Sequence, residues 1–130
     1  MAVEPSELDG HGKGWGARIR DDGRAEFRIW APGPDWMGVV IGDQRLTMEN
    51  QGDGLYEAIV DNVAPGTPYR FRLPSGQEVA DPASRAQFTD VHGASLLVDH
   101  RSYTWRNSAF KGRPWHEAVI LEIHIGTFTT

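Results

Sequence analysis

The 130-residue sequence predicts an all-β fold: an Ig-like β-sandwich, then an irregular connector and one strand of a second unit. Three observations predict it. Short runs of alternating apolar and polar residues recur at roughly 8–12-residue spacing between turn residues, as in β-sandwiches. Glycine and proline are abundant, at 15 and 8 residues, which suits many turns. No segment before residue 80 repeats its apolar residues at helical spacing.

Taken in order, residues 1–14 are polar and Gly-rich and read as a flexible lead-in. The sandwich is expected over residues 15–80. Trp15, Ala17 and Ile19 alternate with Gly16 and Arg18, and Asp21-Asp-Gly23 makes a turn. Arg24 to Trp30 is a period-two strand, with Ala25, Phe27 and Ile29 on one face and Arg24, Glu26 and Arg28 on the other. The two runs make a hairpin. Ala31-Pro-Gly-Pro34 ends it, because proline cannot donate to a ladder. Trp36 to Ile41 is the next strand, Gly42-Asp43 its turn, and Arg45 to Met48 a short strand. Gln51-Gly-Asp-Gly54 reads as a turn. Leu55 to Val60 is a strand with Tyr56, Ala58 and Val60 inward. Ala64-Pro-Gly66 turns the chain into Thr67 to Leu73, with Tyr69, Phe71 and Leu73 inward and Arg70 and Arg72 outward. Gln77 to Ala80 is a short edge strand. Residues 81–117 read as an irregular connector packed on the sandwich, with a strand signal at Ala94 to Asp99. Val119 to Ile125 is a nearly continuous apolar run, as in a parallel strand covered on both faces. Residues 118–130 therefore read as the start of a truncated second domain, expected by itself to be disordered or to join the sandwich as an edge strand.

Composition narrows the partners. The net charge of −5 argues against nucleic acid and against an anionic membrane surface, which both reward basic surfaces. There is no cysteine, so no disulfide framework and no thiolate chemistry, in keeping with a cytoplasmic location. The N-terminus lacks the basic and apolar regions of a signal peptide, and no apolar stretch approaches the ~18 residues of a membrane span.

Catalytic motifs are weak. Gly12-Lys-Gly-Trp-Gly-Ala17 matches a dinucleotide fingerprint on paper, but no strand precedes it and no helix follows. It is no P-loop either, since no Ser or Thr follows the lysine. Histidines 11, 92, 100, 116 and 124 form no i,i+4 pair, and a closed zinc site without cysteine is not expected, so no metal or other cofactor is assigned. His124 shares one face of the closing strand with Glu122, where a polar residue of a barrel strand can face substrate; a structural polar pair explains it equally well. Asp81, Asp90 and Asp99 show no spacing that pairs them as a glycosidase acid and nucleophile. Asp81, before Pro82, reads as a turn residue. No catalytic residue is therefore assigned. Trp15, Trp30, Trp36, Trp105 and Trp115 could stack on sugar rings, although packing is the favoured reading. Trp36, at a strand start after Pro34-Asp35, is expected to be the most exposed and is the candidate sugar contact, with His124.

Several stretches resemble one family. Phe27-Arg-Ile-Trp-Ala-Pro32 resembles the F-R-[LV]-W-A-P strand in the N-terminal sandwich of α-amylase-superfamily branching, debranching and trehalose-releasing enzymes, and Tyr69-Arg-Phe71 resembles a later strand of that domain. Asp81-Pro-Ala-Ser-Arg85 followed by Asp90-Val-His-Gly-Ala-Ser95 is similar to the D-P-A-S-R…G-V-H-G-P-S stretch of malto-oligosyltrehalose trehalohydrolases. Leu121-Glu-Ile-His-Ile-Gly-Thr-Phe-Thr129 resembles their first barrel strand, Y-E-[IL]-H-V-G-T-F-T. Phe88 and Asp90 stand where Pro and Gly are usual, Ala94 where Pro is, and Leu121 where Tyr is common.

The resemblance implies a sandwich of the E-set type followed by the first strand of a missing (β/α)8 barrel. It implies a parent that hydrolyses the α-1,4 bond beside the terminal trehalose of malto-oligosyltrehalose, by a retaining mechanism whose Asp and Glu lie beyond this chain. The chain alone is then inactive, its partner its own catalytic barrel, with α-glucan or malto-oligosyltrehalose as a second candidate ligand. The alternatives are the same domain of a glycogen branching or debranching enzyme, or a free-standing α-glucan-binding module. The buried-type closing strand argues against an Ig-like adhesion module.

Overall fold

The computed structural model describes residues 14–107 and 109–128, so the lead-in expected over residues 1–14 lies almost wholly outside them. The chain divides into two compact units, one running to His100 and one from Arg101. Among the described residues the first contains nine strands: β1 Gly16–Ile19, β2 Ala25–Trp30, β3 Gly38–Ile41, β4 Gln44–Thr47, β5 Glu49–Gly52, β6 Leu55–Val60, β7 Pro68–Arg72, β8 Glu78–Val79 and β9 Ser95–Leu96. One sheet has the order β1-β2-β6-β5 and the other β4-β3-β7-β8, with β9 also paired to β7; all pairings are antiparallel.

The core forms where the inward faces of the two sheets meet. Ala25, Phe27, Ile29 and Tyr56 from the first sheet pack in one cluster with Val39, Ile41, Tyr69 and Phe71 from the second. Phe27 meets Tyr69 edge-on across the layers at 5.0 Å, and Tyr69 meets Phe71 at 5.9 Å. Edge-to-face contact aligns the positive ring edge with the negative face of its neighbour. Ala58, Val60 and Leu73 flank this cluster, so the alternation expected along β2, β6 and β7 holds. The β1–β2 turn also forms as expected: Gly23 takes a positive φ of 82°, and its N–H donates to the Arg20 carbonyl.

Two departures matter. The stretch read as a turn at residues 51–54 instead contributes to β5, whose pairing with β6 shifts register between Asn50 and Gly52. The tight turn falls at Asp53-Gly54, both at positive φ. A bulge accommodates the extra residue, which period-two reading cannot register. The second departure is where β9 pairs: the strand signal at Ala94 to Asp99 forms as β9, and it joins the sandwich sheet rather than lying in a connector. It pairs with one half of β7 (Pro68↔Leu96, Tyr69↔Ser95), while β8 pairs with the other half (Phe71↔Val79, Arg72↔Glu78). Two short strands thus share one edge of β7, and residues 81–97 are part of the sandwich.

Among the described residues the second unit carries little regular structure: a 3-10 turn at His100–Ser102 runs into it, followed by a 3-10 turn at Trp115–Glu117 and one helical turn at Ile125–Phe128. Residues 118–124 form no strand, so the added edge strand expected there does not form. Val119 is 98% exposed and Leu121 78%. An isolated extended segment has no ladder partner, and without one its apolar side chains have no surface to cover.

Candidate functional site

The Asp81-Pro-Ala-Ser-Arg85 stretch folds into a buried polar knot. Asp81 is 3% exposed, because the chain leaving β8 is drawn back over the start of β1. Its Oδ2 accepts a hydrogen bond from the Tyr69 hydroxyl at 2.5 Å, and its Oδ1 accepts one from the Ala83 N–H at 2.7 Å. The Asp81 N–H donates to Ser95 Oγ at 2.9 Å, and the Arg85 guanidinium donates to the Ala17 carbonyl at 3.2 Å. Gly16, at φ +86°, leaves room for this: a Cβ there would stand 2.9 Å from the Ala83 oxygen. Burial pushes the Asp81 carboxyl above its ordinary value despite these donors, and pushes the Tyr69 hydroxyl up strongly, with the Asp81 charge adding to it. Asp81 thus joins β7 through its carboxylate and β9 through its N–H, and Arg85 carries the same stretch to β1. Asp81 is thus the turn residue the sequence predicts, and a tertiary clamp as well.

The outer face of the first sheet holds an ion-pair network. Glu26 and Arg28 point away from the core as expected, yet they are only 2% and 5% exposed. Cross-strand neighbours cover them: Arg18 stands opposite Glu26, and Glu57 opposite Arg28. Glu26 accepts a close hydrogen bond from Arg18 and lies 3.4 Å from Arg20, and Arg28 Nε lies 3.8 Å from Glu57. Burial alone would raise the Glu26 carboxyl, but the hydrogen bond from Arg18 and the charges of Arg18 and Arg20 outweigh it and hold the group below its ordinary value. A glycosidase acid needs the opposite shift, so Glu26 reads as structural.

An apolar cleft of about 270 Å³ opens at the end of this face, lined by Trp15, Trp30, Ile29, Pro82 and Ala83 above Arg28 and Asp81. Both indoles are held in place. The Trp30 N–H donates to the Asp53 carbonyl at 3.0 Å, and the Arg28 guanidinium lies 5.5 Å from the Trp15 ring centre. Trp30 is nonetheless 60% exposed and Trp15 48%.

Trp36 is not the most exposed tryptophan; it is half-buried, while Trp15, Trp30, Trp105 and Trp115 all expose more. The reason lies two residues on. Gly38 has no side chain, and the Trp36 ring lies over it, 3.3 Å from where a Cβ would stand. The Arg72 guanidinium sits 5.9 Å from the ring centre, and Arg45 and Thr47 complete a groove of about 210 Å³. His124, in the second unit, is exposed, and its carbonyl accepts hydrogen bonds from the Thr127 N–H at 3.0 Å and hydroxyl at 3.2 Å, starting the terminal helical turn. The two candidate sugar contacts thus belong to separate units. The Trp15–Trp30 pairing escaped the sequence reading because Pro82 arrives from some fifty residues away. Its one early signal was that both residues flank paired strands at the same end. Among the described residues, no group of three or more His, Cys, Asp or Glu could hold a metal ion.

No protein-family profile matches the chain. Individual proteins do. The malto-oligosyltrehalose trehalohydrolase of Saccharolobus solfataricus is 33% identical over 117 residues, 89% of this chain and 20% of that protein. The Deinococcus radiodurans protein of the same name is 32% identical over 103 residues, 79% of this chain and 17% of that protein. A 1,4-alpha-glucan branching enzyme GlgB of Shewanella sp. is 29% identical over 119 residues, 78% and 16% of the two chains. Among solved structures, a Salmonella typhimurium protein assigned as an alpha amylase superposes with a TM-score of 0.78 at 46% identity, over 90% of this chain and 20% of that one. A pullulanase from Paenibacillus barengoltzii, with a TM-score of 0.60 and 23% identity over 78% and 18% of the two chains, shares the fold. The chain spans about a fifth of the length of the curated relatives it matches.

Proposed function

The chain is homologous to one portion of the malto-oligosyltrehalose trehalohydrolases of the α-amylase superfamily, and from that premise we propose that it is the N-terminal, non-catalytic sandwich domain of such an enzyme. The parent would be a retaining α-glycosidase that releases trehalose from malto-oligosyltrehalose by hydrolysing an α-1,4 bond. The single observation that carries this reading is one of proportion: trehalohydrolases match 79–89% of this chain, while the chain spans only 17–20% of them. Residues 118–130 would be the first strand of the catalytic barrel. Their apolar run, left exposed in the described residues, supports it.

The partner is then the catalytic barrel of the same polypeptide, and no nucleic acid or membrane surface is expected. No described helix is long and apolar enough to cross a membrane, and the absence of cysteine fits a cytoplasmic site of action. Trp36 and His124 remain the proposed sugar contacts: the first because its groove combines an aromatic wall with Arg45, Thr47 and Arg72, the second because it would face substrate once barrel strands pair beside it.

The branching-enzyme reading has a specific basis in the GlgB relatives. A free-standing α-glucan-binding module is the other alternative. Titrating isotope-labelled chain with maltoheptaose separates the free-standing module from an accessory domain of either parent. An accessory domain, whose Trp36 would contact sugar only beside the barrel, shows no saturable shifts by itself up to millimolar sugar, whereas a binding module shifts Trp36 saturably. Release of trehalose from malto-oligosyltrehalose by the chain alone would overturn the non-catalytic assignment.

A further inference from the structure

The Trp15–Trp30 cleft has a chemistry that selects among occupants. Two indoles are exposed yet orientationally fixed, one by a hydrogen bond to the Asp53 carbonyl and one by the Arg28 guanidinium. Fixed aromatic rings lose little rotamer freedom when a partner covers them, which is what interface anchors need. The polar groups of the cleft are largely committed. Both Asp81 oxygens accept from Tyr69 and Ala83. Arg28 is engaged with Glu57 and with the Gly14 carbonyl. The Trp15 indole N–H has no protein acceptor among the described residues; Arg28 Nε also makes no hydrogen bond, but it is buried and lies 3.8 Å from the Glu57 carboxylate. A hexose presents several hydroxyls that must be satisfied when desolvated, and one donor cannot meet them. An aliphatic or prolyl side chain makes no such demand. The relatives, moreover, carry about four fifths of their length outside the matched portion, so a large neighbour in the same polypeptide is at hand.

We propose that the Trp15–Trp30–Pro82 cleft is the docking surface for an apolar loop of the catalytic portion of the parent polypeptide, rather than a sugar subsite. The proposal rests on the accessory-domain reading above and names the face through which that domain is held. Trp30 and Trp15 act as anchors, and the Asp81 knot presents Pro82 as the opposite wall.

The test is a chimaera in which this chain replaces the matching fifth of the Saccharolobus solfataricus trehalohydrolase. Calorimetry should record one cooperative transition. Trp15→Ala and Trp30→Ala should each split it, or lower it by roughly 5 °C or more, an amount that an anchor residue can supply. Ile59→Ala, exposed on the same sheet outside the cleft, should change it little. In the isolated chain the same tryptophan variants should melt within roughly 2 °C of the unsubstituted protein, since surface changes cost little; an equal loss there would mark a purely structural role and overturn the proposal. Tryptophan variants of the chimaera that match Ile59→Ala would also overturn it, while leaving the accessory-domain reading intact. A soluble chimaera that unfolds in two independent steps and releases no trehalose would instead defeat that reading. If the chimaera does not accumulate, the isolated chain is titrated with the separately produced remainder of the relative. Indole quenching lost in Trp30→Ala supports docking, and no quenching refutes it. Saturable quenching of Trp15 or Trp30 by maltoheptaose would make the cleft a sugar site and refute docking.

Discussion

Strand β2 and residues 119–124 are both apolar, extended-type sequences, and they meet opposite fates. β2 is paired along its length, by β1 on one side and β6 on the other, and Ala25 and Phe27 are fully buried. Val119, Ile120 and Leu121 form no ladder and stay exposed. Their hydrophobicity is equal or greater, so composition does not separate them. What separates them is whether a complementary surface exists. A strand is a property of its sheet, and burial is a property of a pair of faces.

The comparison can be broken at three points. The largest effect is expected at Phe27→Ala. The ring is fully buried against Tyr69, so its loss leaves a cavity and should cost ~3–5 kcal/mol in urea denaturation. A cost under ~1 kcal/mol would mean that the two sheets do not pack as described.

Next is Glu26→Gln, on the outward face of the same strand. It weakens the charge-assisted bonds from Arg18 and Arg20 and should cost roughly 2 kcal/mol at pH 7. The sign of the pH dependence follows from the lowered carboxyl. Glu26 releases its proton more readily folded than unfolded, so its stabilisation is present above the unfolded value of about 4.3. It is lost as pH falls through the lower folded value. The gap between wild type and variant should therefore narrow on acidification below about pH 4. A gap that widens there would reverse the assignment.

The smallest effect is expected at Leu121→Asp. The side chain is 78% exposed, and its replacement should shift stability by less than ~0.5 kcal/mol. A loss comparable to Phe27→Ala would show that residues 119–124 are buried in solution and would erase the contrast with β2.

Legibility in the sequence follows the same division. The alternation of Ala25, Phe27 and Ile29 with Glu26 and Arg28 named the core face correctly, since the extended backbone itself imposes a period of two. It also placed Glu26 and Arg28 outward, but their burial depends on Arg18 and Glu57 across the strands, which no local pattern contains. Trp36 read as exposed because it opens a strand. The bare backbone at Gly38 drew the ring down instead. Asp81 read as a turn residue and is one; the Tyr69 and Ser95 partners that make it a clamp come from 12 and 14 residues away.

By itself, then, the sequence determined what is local: which face of β2, β6 and β7 is apolar, and where the backbone turns through Gly23. Dihedral preference and side-chain alternation act over a few residues and need no partner. The tertiary structure alone decided which outward charges are buried, which tryptophans stay exposed, that β9 completes the edge of β7, and that Trp15 and Trp30 face Pro82 across one cleft. Each of these depends on a surface supplied by a distant segment, and a one-dimensional pattern carries no distances between segments.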